Sequence, residues 1–519
     1  MDKNILKDTR FVIILLSGLA WGIFAHGMAL FNKYSYHDDV PHFNGVGETY
    51  GLGRWFLGFA GKYVPRLFGS RNYSTPVYCG FLTLAAIAFM VYIFSVKLRI
   101  ERPAILIALT GVMICFPAVT NIFGYVFTAP YYYIGALLGV IGAYIFYTRK
   151  SVATFILCTF LMALSVGLYQ SNIAINLMTL LLFMISEVYD SDMSAKEYIT
   201  LGAKNAGICA CFMGEYFIIN ALFLKIENVQ MYDYKGVGSF GKTSVSGYLY
   251  RIFTAYKRFI KPADFINYNG VSANMFPWGI KYYHMILVAV TLVLMILLAR
   301  SLSSRAKIIQ LAILAAISPL FAYFIYVMVA EEDAHGGMGF GEAFMFFLAA
   351  FVLQRISERG ESAGEKKYSV RVIFAKAAVV LMFVIAFMSA RFANVCYLKA
   401  EIMQAEAINY YNTLIARIQM TEGYTENTPV AFIEGRKKDD SGFVGGKLFE
   451  PIYLPPYQGN SIINDFAWEE TMHLWCGFCP ESVSASDLAD QDAIENMPVY
   501  PAAGSVKMVD GAVVVKFSE

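Results

Sequence analysis

The chain has 519 residues, 57% of them hydrophobic and only 15% charged, with a mean hydropathy of +0.52. A soluble globular chain is about a quarter charged, so this composition excludes an ordinary soluble protein and puts most of the chain in lipid. The formal net charge of +2 hides an asymmetry: from Arg391 onward there are 9 basic and 18 acidic residues, against 32 and 21 before it. A basic membrane part joined to an acidic appendage argues against nucleic acid as a partner.

Met1–Arg10 is short and basic, and the apolar run after it has no small-residue cleavage site, which reads as an uncleaved first span. Runs long enough to cross ~30 Å of hydrocarbon fall at 11–31, 77–96, 103–121, 131–148, 152–168, 172–188, 202–224, 282–300, 308–329, 340–356 and 372–390. Lys97, Arg99 and Arg102 share one side with Arg149–Lys150, with Arg300, Arg305 and Lys307, and with the run Arg355–Arg371. The positive-inside rule makes that side cytoplasmic, with the N-terminus inside and the C-terminus outside. The expected fold class is therefore a polytopic α-helical membrane protein of about eleven transmembrane helices. Residues 1–390 form the membrane domain and 391–519 a small C-terminal extracytoplasmic α/β domain. The first loop (32–76), the loop at 225–281 and the tail all lie on the outer side, where the chemistry is expected.

In the first loop, Leu52, Trp55, Phe56, Phe59 and Tyr63 recur at helical spacing, with Arg54, Gly58, Gly61 and Lys62 on the other face. That pattern describes an interfacial helix or a loop packed on the bundle. In the tail, Arg391–Met420 reads as a helix, Pro429–Glu434 as a strand and Asn464–Trp475 as a helix. Asp510-Gly511 sits between alternating apolar residues, a hairpin signal. No internal repeat is visible, which weakens a transporter reading.

The candidate reaction centre is the carboxylate pair Asp38–Asp39. Adjacent residues point in different directions on a helix or strand, so the two cannot easily share one task. One carboxylate can act as a base while the other orients the loop or binds a cation; Asp-Asp-Val-Pro is also ordinary turn chemistry. Arg54 is suited to a bidentate phosphate contact, and Trp55 beside it to substrate binding; Lys62 and Arg66 read equally well as lipid anchors. His37 and His42 flank the pair and invite a metal reading, with His37 and Asp38 as ligands to Mg or Mn, although zinc-type spacing is absent. Glu331 and Glu332, with Asp333 and His335, form a second acidic cluster that either lines the cleft or is a solvated loop. Tyr131–Tyr133, Tyr169 and Gln170 end spans on the outer side, as interfacial aromatics or sugar-binding residues. Glu215, inside the seventh span, is functional or simply paired in the bundle. Cys476 and Cys479, in an oxidising compartment, are expected to form a local disulfide.

A first span followed by Asn32-x-x-Ser35-Tyr36-x-Asp38-Asp39, then Gly53-Arg54-Trp55, resembles the Gtr-type glucosyltransferases that decorate bacterial O-antigen. The resemblance extends to Gly167-Leu168-Tyr169-Gln170-Ser171, to Met497-Pro498-Val499-Tyr500-Pro501, and through Gly504-Ser505-Val506 to Asp510-Gly511. It implies a GT-C-type enzyme of the bacterial inner membrane, working on the periplasmic face. The implied donor is undecaprenyl-phosphate-linked glucose, and the acceptor a sugar of lipid-linked O-antigen, the lipopolysaccharide side chain. It also implies that Asp38 or Asp39 occupies the acidic first-loop position; Asp39 is preferred as base, with Asp38 orienting or binding a metal. Two rivals are a lipid-linked oligosaccharide flippase or other transporter, and an O-antigen polymerase. Crowding of acidic residues into outer loops, rather than along a central path, favours the transferase over the transporter.

Overall fold

The computed structural model describes residues 5–34, 37–233, 236, 243–260, 265–266, 272–273, 279–329, 336–362, 369–433, 444–450, 452, 454, 457, 459 and 467–517. The helices of the membrane part are α1 (Thr9–Phe31), α2 (Trp55–Leu67), α3 (Pro76–Lys97), α4 (Pro103–Ile114), α5 (Pro117–Ile122), α6 (Ala129–Thr148), α7 (Val152–Leu168), α8 (Asn172–Asp190) and α9 (Ala195–Ile226). They continue with α10 (Val245–Ile260), α11 (Ile280–Ala299), α12 (Arg305–Ala322), α13 (Ile325–Met328), α14 (Met345–Ser362) and α15 (Val370–Gln419). A two-residue antiparallel pair, β1 (Phe265–Ile266) and β2 (Ser272–Ala273), lies between α10 and α11. Among the described residues ten helical segments are long and apolar enough to cross a membrane, and α7, at 17 residues, is shorter. These segments fall on the expected spans, with α7 the one below full length. The chain is a multi-pass membrane protein.

The third span is broken where Pro117 opens α5. Proline lacks the N–H that would continue the helix, and α4 ends at Ile114. In lipid a freed carbonyl must find a donor, and His26 of α1 meets the Ile114 carbonyl at 3.0 Å. Gly135, Gly139 and Gly142 line one face of α6. A Cβ on Gly139 would lie 1.9 Å from Asn176 Oδ1, and one on Gly142 would lie 2.9 Å from the Cys158 carbonyl. Small residues let helices approach where no hydrophobic drive separates helix from lipid. The amide of Asn176 then donates to the Met162 carbonyl at 3.3 Å.

The basic connections gather as their spacing predicts. Lys97 pairs with Glu187, Arg99 and Arg355 each reach Asp190 at 3.6 Å, and Lys307 reaches Asp192 at 2.8 Å. All meet at the C-terminal end of α8. Asp8, which caps α1, accepts from Tyr92 near the end of α3, so α1 starts at the end of the bundle where α3 finishes.

The chain divides into two compact units. The first comprises Met1–Lys33, Asn44–Val395 and Tyr453–Pro455; the second comprises Tyr34–Phe43, Cys396–Ile452 and Pro456–Glu519. The division falls inside α15, a single 50-residue helix that carries the last span on into the tail without a break. It also assigns Tyr34–Phe43 of the first loop to the unit of the tail.

In the second unit, β3 (Val430–Ile433) runs parallel to β5 (Ala512–Lys516), which pairs antiparallel with β4 (Val506–Val509). Asp510 and Gly511 form the tight turn with φ of 48° and 82°, the left-handed pair that a two-residue hairpin needs. Ala431, Val509 and Val514 close a small core with Ile494 of α17 (Gln491–Glu495) and with Met497. Helix α16 (Trp468–Cys476) ends at the first cysteine of Trp-Cys-Gly-Phe-Cys, and Gly477 turns the chain at φ 66°. Cys476 ends the helix and Cys479 lies just past the turn, both as free cysteines in this structure.

Candidate active site

Within the first unit the site is built around Arg54. Tyr50–Leu52 forms a 3-10 turn, and Gly53 leaves it with φ 75°. Only glycine takes that conformation cheaply, and a Cβ there would lie 2.7 Å from the Tyr216 hydroxyl. The turn delivers Arg54 to the start of α2, with its N–H donating to the Thr49 carbonyl at 2.8 Å. Gly58 and Gly61 let α2 lie directly on Tyr50, Thr49 and Val46. The glycines of α2 therefore face inward, while Phe59, Tyr63, Val64 and Leu67 are exposed. That exposed apolar strip, flanked by Lys62 and Arg66, fits a helix at a lipid surface.

The Arg54 guanidinium donates to the Tyr132 hydroxyl at 2.9 Å. It lies 5.7 Å from the centre of the Tyr132 ring and 5.3 Å from that of Tyr169, within cation–π range of both. The two rings stack at 4.0 Å and 8°. They meet because Asn172, at the start of α8, donates to the carbonyls of Tyr132 and Ser165, at 3.3 and 3.0 Å. Tyr132 and Tyr169 also line a small cleft, with room for about one water, together with Tyr133, Asn172, Met338 and Phe340.

The other candidates from this region take positioning places. The Gln170 amide donates to the Leu52 carbonyl, and the Tyr216 hydroxyl donates to the Gly53 carbonyl at 3.0 Å. Trp55 is 3% exposed and stacks on Phe223 at 5.4 Å. Gly167 is what admits it: a Cβ there would lie 2.6 Å from the indole. Gln170 and Trp55 thus hold the Arg54 turn from two sides. Glu215 accepts from Thr159 at 2.7 Å, a pairing inside the bundle.

Asp38 and Asp39 lie in the second unit, on a 3-10 turn, His37–Asp39. Successive residues of such a turn point about 120° apart. Asp39 is fully buried and Asp38 half-buried, so the pair is unequal. Earlier in the same segment, burial pushes the Tyr34 hydroxyl up to about 12, and Glu401 of the same unit adds to the shift. Among the described residues no group of three or more His, Cys, Asp or Glu is placed to hold a metal ion; the side chain of His37 is outside them. Glu331 and Glu332, with Asp333 and His335, also lie outside the described residues.

The positioning roles of Tyr216, Phe223 and Asn172 escape sequence reasoning. Tyr216 and Phe223 sit in a 32-residue apolar helix without a polar face to mark them. The signal for Asn172 is an amide opening an apolar run, where a buried polar group needs a partner.

The crystal structure of ArnT from Cupriavidus metallidurans bound to undecaprenyl phosphate is similar at 11% identity over 91% of this chain and 89% of that one, with a TM-score of 0.32. A likeness at that score carries no argument here. No curated protein matches the chain. The family described as Glucosyl transferase GtrII matches residues 27–347, more than half of the chain, a stretch that includes Asp38, Asp39, Arg54 and the Tyr132–Tyr169 pair. The chain belongs to the GtrII glucosyl transferase family and is a multi-pass membrane glycosyltransferase.

Proposed function

We propose that the chain moves a glucosyl group from undecaprenyl-phosphate-linked glucose to a sugar of lipid-linked O-antigen, on the periplasmic face of the bacterial inner membrane. The observation that supports it best is Arg54 seated on Tyr132 and Tyr169 in a chain of this family. A cation held over two rings suits a lipid-linked phosphate, and rings beside it suit the sugar attached to that phosphate.

In this reading Asp39 takes the proton from the acceptor hydroxyl. The hydroxyl oxygen forms the new bond to the anomeric carbon as the bond from that carbon to the phosphate oxygen breaks. Undecaprenyl phosphate leaves with the electron pair, its charge met by Arg54, so no strong acid is needed. A β-linked donor gives an α-glycoside by direct displacement. Asp38 would orient the loop, or with His37 would hold a divalent Mg or Mn ion, which would supply positive charge for the leaving phosphate. The fold is read as GT-C-type on the strength of the family resemblance.

The test is mass spectrometry of surface polysaccharide from cells with and without the protein. A gain of one hexose per repeat supports the transfer. Unchanged repeats with altered chain length would instead indicate a polymerase, and loss of surface polysaccharide a flippase.

A further inference from the structure

The second unit carries an open groove of about 700 Å³ that the proposed chemistry does not use. One wall is the end of α15 and the turn after it, with Arg417, Met420 and Glu422. The other is the segment Ala502–Met508, which leads into β4 and along it. That capacity lies within the range of small-molecule sites, about 300–1,000 Å³. The second wall belongs to the stretch from Met497 to Gly511 that carries part of the glucosyltransferase resemblance and lies beyond the matched residues 27–347.

Both walls are held in place. The Ser505 hydroxyl donates to the Ala502 carbonyl at 2.6 Å, and the Ser505 carbonyl accepts from the Lys516 N–H of β5 at 3.1 Å. Arg417 donates to the Pro501 carbonyl at 2.6 Å, and its guanidinium lies 5.3 Å from the centre of the Tyr500 ring. Tyr410 and Phe517 meet that ring edge-on at 5.7 and 6.0 Å. A guanidinium anchored in this way gives up little further freedom when its remaining donors bind a ligand. Glu422 and Lys507 are exposed, and among the described residues neither side chain makes a hydrogen bond or ion pair.

Met420, Val506 and Met508 add apolar lining to these charged groups. Apolar surface for ring carbons, with donors and an acceptor for hydroxyl groups, is what a saccharide requires. The groove also reverses the sign of its surroundings. Arg417 and Lys507 stand against Glu422 alone, whereas the chain from Arg391 onward has 9 basic and 18 acidic residues. That reversal disfavours a cationic ligand. A polymeric acceptor extends past the sugar that is modified, and a second grip on the same polymer adds to the affinity of the first.

We infer that this groove binds the acceptor's saccharide chain, at sugars other than the one that receives the glucosyl group. The inference rests on the reading that the acceptor is a sugar of O-antigen. Arg417, Glu422 and Lys507 are then acceptor-binding residues, with no part in making or breaking the glycosidic bond.

The experiment measures equilibrium binding of O-polysaccharide, freed of its lipid and taken from cells that lack the protein, to the full-length protein in lipid nanodiscs. Wild-type protein should bind it. Lys507→Glu reverses one charge and Ala503→Trp fills the groove, both at exposed positions. Each should weaken binding about tenfold and leave the thermal midpoint unchanged. The groove is overturned as the site if wild-type protein does not bind the polysaccharide, or if both variants bind it as tightly as wild type. Displacement of the polysaccharide by an equal concentration of inorganic phosphate would overturn it too, and mark a site for anions in general. Binding that depends on Lys507, in cells whose polysaccharide gains no hexose from the protein, would overturn the transfer reading and leave the groove standing.

Discussion

Arg54 donates to the hydroxyl of Tyr132 at 2.9 Å while its guanidinium lies 5.3 Å from the ring of Tyr169. Its orientation is thus fixed from two sides by residues of different helix ends. Lysine keeps the charge but loses the planar fork and the stacking. Arg54→Lys should lower kcat/KM for the lipid donor by about a hundredfold, measured as initial rates in proteoliposomes. Rates within twofold of wild type would remove Arg54 from the phosphate.

The turn that presents Arg54 depends on Gly53 at φ 75°. A methyl group there is strained in backbone and meets the Tyr216 hydroxyl at 2.7 Å and the Gln170 amide at 3.0 Å. Gly53→Ala should cost roughly 1–3 kcal/mol of stability and reduce transfer, read by thermal unfolding in detergent alongside the rate. A fully stable and active Gly53→Ala protein would show that the turn does not position the site.

Asp39 is buried and Asp38 half-exposed on one short turn. If Asp39 is the base, Asp39→Asn should lower transfer by about a thousandfold, inside the range for removing a general base. Asp38→Asn should leave a measurable rate. Both variants should insert in the membrane at wild-type levels, checked by membrane fractionation. The reverse ranking would exchange the two roles.

The spans were legible because hydropathy alone decides what crosses lipid, and the Asp510-Gly511 hairpin because its turn chemistry is local. Gly53-Arg54-Trp55 and Gly167-Leu168-Tyr169-Gln170 could be singled out as motifs, yet their relationship could not. Trp55 occupies the space that Gly167 leaves, and Gln170 holds the carbonyl of Leu52, contacts made across more than a hundred residues of chain. Local periodicity carries no such information. For the same reason Tyr34–Phe43 read as part of one outer loop, although it groups with the unit of the tail.

The metal question separates from the base. With Arg54 supplying the positive charge, turnover should survive excess EDTA without change. A loss of more than tenfold that Mg or Mn restores, and Arg54 variants do not mimic, would assign the phosphate to a divalent ion held by Asp38 and His37.

Sidedness can be read from the tail. Cys479 is exposed and Cys476 half-buried, both as free thiols. If the C-terminus is periplasmic, a membrane-impermeant maleimide added to spheroplasts should label Cys479 after mild reduction, and Cys479→Ser should lose most of that label. Labelling before reduction would match the free thiols seen here, whereas labelling only after it would mean that the compartment oxidises the pair. Label that appears only when the membrane is broken would put the tail in the cytoplasm and reverse the orientation inferred from Lys97, Arg99 and Lys307.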